Sequence, residues 1–94
     1  MKITECIWDE NNVDVLWRRH QVTPDEVEEA IFGIDGEAAI YLIRRDGENY
    51  QVFGETGDGR LLAMVGEPFP DGRIRIFHAM NMTAAQRRAF RKGK

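Results

Sequence analysis

Residues 38–79, AAIYLIRRDGENYQVFGETGDGRLLAMVGEPFPDGRIRIFHA, decide the fold. Four extended runs alternate there with turn-forming residues. Ala38–Arg44 is rich in strand formers, and Asp46–Gly47 is a hairpin turn signal. Tyr50–Thr56 answers it as a second strand, and Gly57–Asp58–Gly59 makes the next turn. Arg60–Glu67 is apolar on both faces, which suits a central strand. Pro68–Gly72 is a loop, because its prolines could not pair inside a sheet. In Arg73–Ala79, strict alternation sets Arg73, Arg75 and Phe77 against Ile74, Ile76 and His78. Turns this short make the four strands an antiparallel meander.

On the N-terminal side, the pattern becomes helical. Thr23 is an N-cap, Pro24 fills the first helical position, and Glu26 completes a capping box. Val22 and Val27 form a hydrophobic staple, and Val27, Ala30, Ile31 and Ile34 continue a buried stripe. Gly33 or Gly36 closes the helix in the left-handed region, and Glu28 and Glu29 face water. Upstream, Asp9 is the cap of a helix over Glu10–His20, whose stripe is Val13, Leu16, Trp17 and His20. Ile3–Trp8 is a short edge strand. After the meander, Thr83 and Gln86 make another capping box for a short last helix.

The expected order is β-α-α-β-β-β-β-α. This is an α+β single domain, residues 1–94, with two N-terminal helices packed on one face of the sheet. The other face is partly open or covered by a partner.

The chain has 94 residues and a net charge of −3, which conceals a split. All sixteen carboxylates lie before residue 73, giving residues 1–72 a net charge of −10 and residues 73–94 +7. A cationic end of that density points to an anion, and Arg73, Arg87, Arg88, Arg91 and Lys92 are the candidate phosphate contacts. A solvated helix face, or docking on the acidic helix around Glu28 and Glu29, would account for the same charges. No apolar run could span a bilayer, and the N-terminus lacks the apolar core of a signal peptide. The single cysteine, Cys6, suits a reducing compartment, so a cytoplasmic location is expected. Neither a metal nor a cofactor is expected, since Cys6, His20 and His78 show no ligand spacing and the glycines form no phosphate loop. Trp8 and Trp17 are core residues or partner-facing anchors.

Several strings, in this order, resemble the BrnT-type toxins. They are WDENNVDVLWRRHQVTPDEVEEAIFG, YQVFGETGDGRLLAMV and RIRIFHAMNMTAAQRRAFRK, together covering most of residues 8–92. The resemblance implies a fold like that of the RelE and ParE toxins and membership of a bacterial type II toxin–antitoxin pair. It also implies metal-independent ribonuclease activity, held in check by a DNA-binding antitoxin of the small ribbon-helix-helix type. The family's Ser/Thr-Ala-Arg string reads His78–Ala79–Met80 here, and Gln21 stands where members often have glycine.

RNA cleavage without a metal needs a base, cations at the phosphorane and an acid. His78 is the candidate acid or base. Arg60, oriented by Glu55 across the hairpin, is a candidate phosphate clamp or a simple surface ion pair, and Arg75 is a further candidate cation. A non-enzymatic relative that binds protein or nucleic acid is the second reading, and a stand-alone RNA-binding protein the third.

Overall fold

In the computed structural model, the backbone is described for residues 3–33, 39–44 and 48–92, and side chains for 3–33 and 49–91. The order of elements is β1 (Glu5–Cys6), α1 (Glu10–His20), α2 (Pro24–Phe32), β2 (Ala39–Arg44), β3 (Glu48–Glu55), β4 (Leu61–Pro68), β5 (Arg73–Asn81) and α3 (Ala84–Lys92). The sheet order is β1-β5-β4-β3-β2. β2 to β5 form the expected antiparallel meander, and β1 adds to β5 in parallel. The Asp46–Gly47 turn, Ile34 and Gly36 lie outside the described residues. No helix among the described residues is long and apolar enough to cross a membrane.

β4 is central because both of its faces are buried. Leu62 and Met64 join Leu16, Val22, Val27, Ala30, Ile31, Ile74 and Ile76 in the core beneath the helices. Each of these side chains larger than alanine contributes about 1.5–3 kcal/mol on removal from water. Leu61 and Ala63 face the other way, into a smaller cluster with Met82, Phe53, Met80 and Phe90. The C-terminal helix thus covers part of the second sheet face through Phe90. Met80 is a packing residue of that cluster. Beneath α2, Gly54 is the close-approach point: a Cβ there would sit 2.1 Å from the Ala30 carbonyl oxygen.

The caps are as the sequence pattern requires. Thr23 Oγ1 accepts from the Glu26 amide at 3.2 Å, and Glu26 Oε1 accepts from the Thr23 amide at 3.1 Å. Thr83 and Gln86 repeat the exchange at the start of α3. Three local expectations are corrected. Trp17 is 54% exposed and lies off the buried stripe of α1, where Asn12 and Leu16 are the fully buried positions. Glu28 is half-buried and accepts from Trp8 Nε1 at 2.9 Å, whereas Glu29 is exposed as expected while also accepting from the Gly57 amide at 2.8 Å. Gly33 ends α2 at φ −11°, outside the left-handed region.

The left-handed residue is instead Gln21, which closes α1 at φ 51° and ψ 47°. A side chain at that conformation crowds its own carbonyl, which glycine avoids. Gln21→Gly should therefore stabilise the protein by about 0.5–1 kcal/mol, even after the extra freedom glycine gives the unfolded chain. A urea denaturation midpoint that moves downward would contradict this.

Candidate functional site

The site is built by an irregularity in β5. Val65 pairs with His78 but Gly66 pairs with Ile76, so Phe77 is an extra residue opposite the Val65/Gly66 step. A bulge of this kind reverses the alternation beyond it. Ile74 and Ile76 remain in the helix-side core, Ala79 takes the next core position, and His78 leaves that series. The alternation expected from sequence therefore holds only as far as Ile76. Glu67 pairs with Arg75 and Val65 with His78, so register places His78 on the side of Arg75 instead of opposite it. Gly66 permits the packing here, since a Cβ would lie 2.8 Å from both Ile74 Cγ1 and Ile76 Cδ1.

Asn12 holds the outer edge of β5 at this point. Its Nδ2 donates to the carbonyls of Ile7 at 2.9 Å and Ile76 at 3.0 Å. Its Oδ1 accepts from the Asp9 amide at 2.8 Å, completing the α1 capping box. One buried amide thereby joins the start of α1, the end of the β1 segment and the last residue before the bulge.

With α1 so placed, His20 meets His78. Their ring centroids are 5.4 Å apart and the planes nearly perpendicular, at 85°. Beside them an open cleft of about 420 Å³ is lined by Val15, Arg19, Val65, Phe77 and His78. Burial first, then the charges of His20 and Arg19, push the His78 pKa below the ordinary imidazole value. At neutral pH the ring is therefore unprotonated and able to accept a proton.

The arginines named from sequence are differently employed. Arg60 is a structural staple. Its Nη1 donates to Glu26 Oε2 at 2.9 Å and to the Gln21 carbonyl at 3.0 Å, its Nη2 to the His20 carbonyl at 3.1 Å, and its Nε to Asn81 Oδ1 at 2.8 Å. These bonds satisfy carbonyls left open at the end of α1. Burial would raise the Glu26 carboxyl, but the bonds from Arg60 and Thr23 outweigh it and hold the pKa below the usual value. Glu55 pairs in register with Leu61 across the hairpin, with Oε2 3.7 Å from the Cβ position of Gly59. Arg75 forms a forked pair with Asp9 at 2.9 and 3.2 Å. Arg73 binds Asp71 at 2.7 Å and lies over Phe69.

On α3, Arg87 Nη1 donates to the Met82 carbonyl at 3.0 Å, while Arg88 and Arg91 are exposed. The Lys92 side chain lies outside the described residues. Among the described residues, no group of three or more His, Cys, Asp or Glu side chains is arranged to hold a metal ion. Cys6 is buried, and desolvation, aided by Glu28 and Glu5, pushes its thiol up to about 12. That leaves it unreactive at neutral pH.

The structure thus brings His78 together with His20 and Arg19, and assigns Arg60 and Arg75 to the framework. Sequence reasoning passed over Arg19, Phe77 and Asn12 as site-forming residues, and placed His20 on the buried stripe of the first helix without linking it to His78. The one available signal was that these are the chain's only two histidines. No family model matches the chain, and comparison with the curated proteins finds none similar to it.

Proposed function

We propose that this protein is a toxin-type ribonuclease that cleaves single-stranded RNA through an imidazole pair and is neutralised in the cytoplasm by a partner antitoxin. The observation carrying the reading is His78 packed against His20, beside a cleft that His78 lines together with Arg19. Neutral His78 takes the proton of a ribose 2′-hydroxyl, and the 2′-oxygen attacks the adjacent phosphorus. The bond to the 5′-oxygen breaks as His20 supplies its proton, and Arg19 offsets charge on the phosphorane. The products are a 2′,3′-cyclic phosphate and a 5′-hydroxyl. The antitoxin and the toxin–antitoxin setting are supported by the order of motifs that resembles the BrnT-type toxins, together with the cationic C-terminal segment.

A second reading has its own support. Arg60, Arg73 and Arg75 are all committed to ion pairs, and Met80 fills the position where the family carries arginine. That combination fits a relative that keeps the fold as a binding module. Inducible expression in a bacterial host separates the two. Growth arrest by the wild type, relieved in His78→Gln at equal soluble expression, is the result expected of the ribonuclease. Undisturbed growth with the wild type, or equal arrest by His78→Gln, would overturn it.

A further inference from the structure

We infer that the cleft beside His78 is a subsite for one nucleotide of single-stranded RNA, with the base stacked on Phe77 and its phosphate on Arg19. The inference rests on the ribonuclease reading and names how that site holds its substrate.

Phe77 is the inserted residue of the bulge and is 37% exposed, so the fold displays an aromatic side chain that ordinary alternation would have paired. Val15 and Val65 supply apolar lining beside it. An aromatic face with apolar flanks accepts any base, because every base presents a π-face. The cleft, at about 420 Å³, falls at the lower end of small-ligand sites and so suits one nucleotide rather than several.

Arg19 provides the anion contact. Its neighbour Arg18 is tied to Asp14 at 2.6 Å, whereas Arg19 is exposed and makes no ion pair with a described residue. Planar guanidinium suits a phosphate, which it can grip through two N–H groups. A ribose held between Phe77 and Arg19 would lie against His78, the group that must reach its 2′-hydroxyl. The basic helix α3 would then serve the flanking phosphates without reading sequence.

The test is titration of the full chain with adenosine 3′-monophosphate, adenosine and inorganic phosphate, followed by amide NMR shifts. The wild type should bind the nucleotide most tightly, with shifts centred on Arg19, Phe77 and His78. Phe77→Leu, which keeps an apolar side chain, should weaken both the nucleotide and adenosine by about tenfold or more. Arg19→Gln should weaken the nucleotide while leaving adenosine unchanged, and should make nucleotide binding less sensitive to salt. No wild-type binding at millimolar nucleotide, shifts centred on α3, phosphate binding as tightly as nucleotide, or unchanged affinity in folded Phe77→Leu would each overturn the subsite. Nucleotide binding by a wild type that cleaves no RNA would keep the subsite and sink the ribonuclease. Cleavage that proceeds undiminished in Phe77→Leu would do the reverse.

Discussion

Arg60→Met should destabilise the protein by about 2–3 kcal/mol and lower its melting midpoint by about 10–20 °C. The side chain is only 27% exposed, and its guanidinium bonds Glu26, Asn81 and the carbonyls of His20 and Gln21. Methionine retains the stem's packing but leaves two helix-end carbonyls and a carboxylate without their donor. Partial exposure lets water compensate some of this loss, so the effect is smaller than the sum of separate bonds. Arg60→Lys should recover little, since one ammonium cannot reach acceptors spread across a planar fork. Thermal melts of the three proteins decide the matter. A Met variant within about 0.5 kcal/mol of wild type would show the staple to be ornamental.

Asn12→Leu should cost about 3 kcal/mol, for a different reason. Asn12 is 1% exposed, and its amide is the donor to Ile7 and Ile76. Leucine is of similar size but donates nothing, so two carbonyls lose their donor and the α1 cap loses its reciprocal bond. Asn12→Asp separates shape from chemistry. At neutral pH its carboxylate would face those carbonyls, and burial would raise its folded-state pKa above the unfolded value. The folded state would then hold the extra proton, so this variant should gain stability as pH falls from 7 to 5. Chemical denaturation at the two pH values measures this, and a stability that falls on acidification more steeply than in wild type would contradict it. Because Asn12 bonds the residue before the bulge, His78 should also lose its fixed position against His20.

Much of the architecture was legible because it depends on neighbours in sequence. Thr23, Pro24 and Glu26 announce α2 through bonds spanning a single turn, and Gly57–Gly59 announces a hairpin through backbone geometry. Arg60–Glu67 announces a central strand because its apolar residues occupy both faces. The site was less legible because distant residues make it. The bulge depends on Gly66 leaving room for Ile74 and Ile76, and on Asn12 meeting the Ile76 carbonyl from another element. Strand alternation could place His78 only on the wrong side of that step. Arg60 adjoins the turn that carries Glu55, so local reasoning linked the two. Its actual acceptors lie on α1, α2 and β5. Trp17 misled for a related reason: helical spacing put it beside Leu16 and His20, but α1 turns its Asn12–Leu16 line inward.

Arg60 and Arg75, expected at the phosphorane, and Arg73, expected at a phosphate, are instead held in ion pairs within the fold. Each lies within reach of a carboxylate supplied by the acidic first part of the chain. Arg19 makes no ion pair with a described residue, and it lines the cleft that His78 enters.

The most direct measurement is the pH dependence of kcat/KM for cleavage of a short fluorogenic single-stranded RNA, wild type against His78→Gln. For the wild type the rate should fall on the acid side with an inflection below the ordinary imidazole value of 6.5, as His78 takes up a proton. His78→Gln should be slower by about a hundredfold or more and should lack that acid limb. A folded His78→Gln protein with an unchanged rate and profile, or a wild type that cleaves no RNA at any pH, would contradict catalysis at the imidazole pair.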